Sequence, residues 1–257
     1  MMVQRSSPFV LLGLAVLSMG CSQPDRDSAE GPATEPLSEQ PVPVPHDSDL
    51  AVHMGEHFWQ MAAAHDAAIS GDLGGLKIAT GWLAEHDPPA DLPAGSDPFV
   101  EALKNQSAAV SQAVDLATGT MALGDLAATC GSCHLAFETE LPTVLDEDIE
   151  GGGVDLSQQM SAHIRGADLL WEGLIAPSEQ AWAAGTEVLA QVEIVPETVA
   201  AGPAEIGIVR DLLGRVAEVA QAGADAQPHE RPIIYGQLLA TCGHCHRALG
   251  RGFEPPN

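Results

Sequence analysis

The chain has 257 residues, with 36 acidic residues against 10 Lys plus Arg and a formal net charge of −26. A strongly acidic surface repels phosphate groups, so the composition excludes nucleic acid as a partner. Two interpretations of the acidity stay open, namely solubility alone and the steering of a basic partner protein. Aromatic residues make up 4% of the chain. A core built from the protein alone would therefore consist of Ala and Leu with some Val.

The first 20 residues predict an export signal. Arg5 precedes an apolar run over residues 9–20, which has the length of a signal peptide and is too short to span a membrane. Cys21 follows directly, and the junction resembles a bacterial lipobox, although Ser18 stands where Leu is usual. We expect lipidation at Cys21. The alternative is an ordinary secretory signal followed by an unpaired Cys.

Residues 21–48 predict a disordered tether behind that Cys. The segment holds six prolines among Ser, Glu, Asp and Gly, a composition that cannot bury enough apolar surface to offset its ordering entropy. Ser22, rather than Asp, follows Cys21, so an inner-membrane retention signal is not expected. The sequence therefore predicts an exported protein held by a lipid on the periplasmic side of a bacterial membrane, with the outer membrane favoured.

From residue 49 onward the chain is rich in Ala, with apolar residues at spacings of three and four, which is the helical period. Asp72 is the expected N-cap of the second helix, and residues 87–96 form a loop rich in Pro and Gly. The pattern predicts an all-α chain of two tandem four-helix bundles, over residues 49–141 and 155–251, joined by a linker over residues 142–154. The predicted helices cover residues 49–70, 72–86, 97–117, 120–141, 155–175, 177–192, 203–223 and 231–249.

One short motif occurs twice. Residues 124–134 read GDLAATCGSCH and residues 236–246 read GQLLATCGHCH, an offset of 112 (246 minus 134). The repeat extends to the predicted first helices at an offset of 106 (160 minus 54), and its matched residues there are Met54 with Met160 and His57 with His163.

The Cys-x-x-Cys-His pattern is typical of covalent haem c attachment. Two thiols three residues apart can each add to a vinyl group of haem, and the adjacent His can reach the iron. The motifs therefore predict two covalently bound haem c groups, one on Cys130 and Cys133 and one on Cys242 and Cys245. Three alternatives compete with haem: a thioredoxin-like pair, which needs a βαβ context, a single zinc shared between distant motifs, and surface disulfides.

With its haem motif on the last helix, each half resembles a class II c-type cytochrome of the cytochrome c prime group. The resemblance implies that His134 and His246 are the proximal iron ligands. It also implies that the residue over the other haem face comes from the first helix, as Met in electron carriers and as an apolar residue in gas-binding members. Met54 and Met160 are the expected distal ligands, and His57 and His163 are the alternatives. Alternatively, neither residue type binds iron: Met often fills a hydrophobic core, and a His on an apolar helix face can simply be hydrogen-bonded.

Two functions follow from the resemblance. The first is electron transfer without chemistry on a substrate, with a redox partner protein. The second is a gas-binding or peroxide-consuming protein with an open haem. Gas-binding members tend to carry a basic residue four places after the proximal His, where this chain has Glu138 and Gly250, and no acid–base pair flanks either motif. Electron transfer is therefore favoured. Residues without a site role are expected at the surface (His53, His65, His86, His229) or in the core (Trp59, Trp82, Trp171, Trp182).

Overall fold

Helices make up most of the chain that the structure describes. The computed structural model describes residues 49–139, 141 and 155–250, and within those residues there are helices and no strand. The all-α prediction is confirmed. None of these helices is both long and apolar enough to cross a membrane. The helices are α1 (Asp49–Ser70), α2 (Leu73–Glu85), α3 (Asp97–Ser111), α4 (Leu116–Ala136), α5 (Leu156–Ile175), α6 (Glu179–Gln191), α7 (Pro196–Val199), α8 (Pro203–Ala224) and α9 (Arg231–Ala248).

Predictions for residues 1–48 and for the linker lie outside the described residues. They include the export signal, lipidation of Cys21 and the proline-rich tether.

Side-chain caps begin the second helix of each half. The Asp72 carboxylate accepts a hydrogen bond from the Gly75 amide at 3.0 Å, which confirms the predicted cap. Ser178, its equivalent at the offset of 106, accepts from the Ala181 amide at 3.1 Å. Each cap satisfies one amide that the first turn of a helix leaves without a partner. The repeat thus includes a helix start signal as well as the cysteine motifs.

The helices differ from the sequence prediction at α3, at α4 and at an additional short helix, α7. The third helix ends at Ser111, not near residue 117, because Asp115 accepts from the Thr118 amide at 2.8 Å and starts α4 there. Helix α4 ends at Ala136, before residue 141, and Glu138 adopts a φ of 50°. Helix α7 was not predicted, since four residues are too few to show a helical period.

The two helices that carry the repeated motif, α4 and α9, cross at glycines. A Cβ on Gly124 would clash with the Pro232 carbonyl of α9. A Cβ on Gly236 would lie 2.9 Å from the Thr120 carbonyl of α4. Gly124 matches Gly236 and Thr120 matches Pro232 at the offset of 112, so the same contact is made twice. The crossing is thus pseudo-twofold and brings two backbones together where no side chain fits.

Each motif helix also packs on the first helix of the other half. A Cβ on Gly131 of α4 would clash with the Leu174 carbonyl of α5, and one on Gly243 of α9 would lie 2.5 Å from the Ala68 carbonyl of α1. Ala68 and Leu174 are equivalents at the offset of 106. One hydrophobic core therefore runs through both halves of the chain; its fully buried leucines include Leu76, Leu83, Leu123, Leu126, Leu170, Leu238 and Leu239.

The tryptophans divide between core and surface. Trp171 and Trp182 are buried, as predicted, and the Trp182 indole donates to the Gly223 carbonyl at 2.8 Å. Trp82 is partly buried. Trp59 is 71% exposed, so the prediction that it belongs to the core is wrong. Helix α1 has apolar residues on more than one face here, and periodicity alone did not separate them.

Candidate functional site

The two cysteine pairs lie on the motif helices, one pair on α4 and one on α9. Spacing of three residues puts the members of each pair on one helix face. Burial raises the pKa of Cys130 and of Cys242 to about 12, and the neighbouring thiol of each pair adds to the effect. Thiol–disulfide redox motifs need the opposite, a depressed thiol pKa. Both motifs therefore hold neutral thiols in the fold.

A cavity lies beside the second motif. It measures about 650 Å³ including its open mouth, and most of its lining is aliphatic. The predicted site residues of the second half all line it: Cys242, Cys245, His246, Met160 and His163. Helices α5 and α9 supply these five residues, and the rest of the lining includes aliphatic side chains from α7 and α8. The structure thus brings together residues that the sequence places up to 86 positions apart (246 minus 160).

His163 lies deep in this cavity. Its Nε2 atom is 4.0 Å from the Cys242 sulfur. Burial lowers the pKa of His163 to about 4, with a further contribution from nearby His246. A neutral imidazole with an available ring nitrogen is the form that ligates iron. Met160 lies one turn earlier on α5 and lines the same cavity.

In the first motif the ring of His134 is held by a backbone carbonyl. Its Nδ1 atom is 2.7 Å from the Ile175 oxygen at the end of α5. A carbonyl only accepts, so Nδ1 carries the proton and donates. Nε2 is thereby left with its lone pair for a ligand, an arrangement that metal-binding histidines commonly show. The orienting group comes from the second half of the chain, consistent with the packing of α4 on α5.

His57, the equivalent of His163, contacts other histidines and a tryptophan. Its ring centroid is 4.2 Å from that of His53, 5.6 Å from that of His86 and 5.9 Å from that of Trp82. The pKa of His57 is lowered to about 4, mainly by burial and further by the nearby His53 and His86. Its Nε2 atom is buried and has no hydrogen-bond partner among the residues that the structure describes. His53 is buried as well, so its predicted surface position is wrong.

A polar chain that the sequence did not indicate crosses the core. Tyr235 of α9 is fully buried and its hydroxyl is hydrogen-bonded to Nδ1 of His65 on α1. Nε2 of His65 lies 3.2 Å from a carboxylate oxygen of Asp168 on α5. Burial raises the pKa of Tyr235 well above its ordinary value, with Asp168 as the next cause. His65 is 2% exposed, so its predicted surface position is also wrong. The position equivalent to His65 in the second half is Trp171. Comparison of the two halves therefore could not reveal these polar contacts.

The residues around the second motif fit a haem c group. Two thiols and one imidazole on α9, with a thioether and a second imidazole on α5, line one mostly aliphatic cavity. That donor set matches covalent attachment plus two axial ligands. Comparisons with protein-family models, with curated proteins and with solved structures found no match to this chain. The residues of the chain itself must therefore support any function.

Proposed function

We propose that this protein is a dihaem c-type cytochrome that transfers electrons, with each half of the chain a four-helix bundle around one haem. The observation that carries the proposal is the cavity beside the second motif, where Cys242, Cys245 and His246 share the lining with Met160 and His163. The sequence repeat extends the same assignment to the first motif.

The roles follow the motifs. Cys130 and Cys133 would hold one haem, and Cys242 and Cys245 the other. The proximal iron ligands would be His134 and His246, and the hydrogen bond from His134 to the Ile175 carbonyl orients one of these rings. When bound, a haem with two axial protein ligands supplies one-electron transfer with little rearrangement of its surroundings.

Residues of the first helix of each half would complete the coordination. Met54 and Met160 are the proposed distal ligands, with His57 and His163 as the alternatives. Met raises the reduction potential relative to His, so the choice sets the working range of each centre. Met160 and His163 both line the second cavity. Their shared cavity supports both as candidates for one coordination position.

The charge of the chain and its N-terminal segment support a type of redox partner and a cellular location. A net charge of −26 favours a basic redox partner through long-range attraction.

Lipidation at Cys21 would hold the protein on the periplasmic side of the outer membrane, with residues 22–48 as the tether. Replacement of Cys21 by Ala should release the protein from the membrane fraction. Wild type that is already soluble, with an unmodified Cys21, would refute the anchor.

Haem stoichiometry tests the central proposal. Protein made in a host with haem c maturation, then denatured, should keep two haems per chain in its mass spectrum. Cys245→Ala should weaken attachment at the second site alone, and Cys133→Ala at the first alone. A mature wild-type chain with fewer than two covalent haems would overturn the assignment.

Near-infrared and carbon monoxide measurements test the distal ligands. If Met160 ligates, the oxidised protein shows the Met–iron charge-transfer band, and Met160→Ala lets carbon monoxide bind to the reduced protein. If His163 ligates, His163→Ala is the opening substitution and Met160→Ala leaves the site closed. Binding of carbon monoxide by both haems of the unmodified protein would replace electron transfer by gas binding as the function.

A further inference from the structure

Three histidines meet at one end of α1 and α2. His53 and His57 are four residues apart, on one face of α1, and His86 is the C-cap of α2. One ring nitrogen of each lies within 4.8 Å of those of the other two. The Nδ1 atom of His53 and the Nε2 atom of His86 are 3.2 Å apart. We call these three residues the histidine triad.

The surroundings of the triad supply negative charge and fix one ring. A carboxylate oxygen of Glu56 lies 3.4 Å from Nε2 of His86, and Asp91 also acts electrostatically on His53. The Trp82 ring stacks on His86 with centroids 3.9 Å apart. A carboxylate beside three imidazole rings suits a doubly charged cation.

One ring nitrogen in the triad lacks a partner. Nε2 of His57 is buried and makes no hydrogen bond to any described residue. A buried polar atom without a partner costs folding free energy, because its lost hydration is not replaced, so such an atom in a native fold calls for an explanation. A coordinated cation beside the ring would remove that cost.

We propose that the histidine triad binds a divalent transition-metal ion of the zinc class. Three imidazoles with one carboxylate or open position are a donor set that Zn²⁺ favours. Ligand nitrogens at about 2.0–2.1 Å from a tetrahedral ion are about 3.4 Å apart. The 3.2 Å separation between His53 and His86 already meets that distance, and a rotation of the His57 ring brings in the third nitrogen. Glu56 is placed to supply the fourth ligand.

The second half of the chain lacks this site. At the offset of 106 the positions of His53 and His86 are taken by Gln159 and Val192, and only His163 remains as the equivalent of His57. One metal ion per chain is therefore expected, although two haems are proposed. None of the three histidines belongs to a cysteine motif. His57 is also the alternative distal ligand of the first haem, so zinc binding and haem coordination are measured separately.

Zinc competition measures the proposed site directly. The purified chain with its haems in place is titrated with Zn²⁺ against a chromogenic chelator. We expect one tight site per chain, weakened at least about tenfold by His53→Gln and by His86→Gln. The exposed His229 is the matched control, and His229→Gln should bind zinc like the wild type. His57 is left unchanged because it is also a candidate haem ligand.

Zinc K-edge X-ray absorption on the wild type supplies a readout that needs no variant. Three imidazole nitrogens in the first coordination shell would support the triad even if a variant folds poorly. A sulfur-rich shell, absence of a tight site, or equal affinity in the His86 variant and the control would overturn the proposal. Haem content and visible spectrum, recorded on the same samples, report separately on the cytochrome assignment.

Discussion

Substitution of Gly124 by Ala tests the crossing of α4 and α9. A Cβ at this position would clash with the Pro232 carbonyl oxygen and lie 3.0 Å from its carbon and 3.4 Å from the Gly236 nitrogen. All three are backbone atoms and cannot rotate away, so the two helices must separate. Overpacking of this kind costs about 3 kcal/mol at the upper end of its usual range. The helix propensity of Ala returns about 1 kcal/mol. A net loss of about 2 kcal/mol follows.

Thermal unfolding followed by circular dichroism is the assay. A loss of about 2 kcal/mol lowers Tm by roughly 4–8 °C in a protein of this size. Gly214→Ala is the control, because that glycine lies in the exposed middle of α8 and a Cβ added there would meet no atom within 4 Å. It should raise the free energy of unfolding by about 0.5–1 kcal/mol. A Gly124→Ala protein as stable as the Gly214 variant would show that α4 and α9 are not in backbone contact.

Five further substitutions probe other contacts. Tyr235→Phe leaves Nδ1 of the buried His65 ring without its partner and should lower the free energy of unfolding by about 1–3 kcal/mol. An unchanged urea midpoint would contradict the hydrogen bond between Tyr235 and His65. Arg231 donates two hydrogen bonds to the Glu179 carboxylate, at 2.5 and 2.9 Å. Arg231→Lys keeps only one of them, so we expect the free energy of unfolding to fall by about 1 kcal/mol. The control is Arg210→Lys, in an exposed ion pair, which should change stability by less than about 0.5 kcal/mol. Asp72→Ala and Ser178→Ala each remove a helix cap and should lower the free energy of unfolding by about 1 kcal/mol. A variant that calorimetry finds as stable as the wild type would show that its cap does not form.

Local signals predicted the helices better than they predicted side-chain neighbours. The bounds of α1 and the cap at Asp72 could be predicted because periodicity and capping act within a few residues. Internal repetition indicated the residues that line the second cavity, since Met160 and His163 recur at a fixed offset.

Comparison of the two halves gave wrong predictions at positions where their residues differ. His53 and His65 have no histidine equivalent and were expected at the surface, yet both are buried. Their partners come from other helices, such as Tyr235, which lies 170 residues after His65. Contacts of this kind depend on how helices cross, and no pattern within one segment encodes that.

The pseudo-twofold crossing has the form of an isologous interface, in which residue i of one helix meets residue j of the other and the equivalent pair meets in reverse. Two separate half-length chains with the same glycines could pair in this way as a homodimer, and a single chain turns that encounter into an intramolecular one. Covalent joining also frees the two surfaces to differ. His65 and Trp171 occupy equivalent positions and stack on each other, with ring centroids 5.3 Å apart. A symmetric pair of identical subunits would have to place two histidines or two tryptophans there.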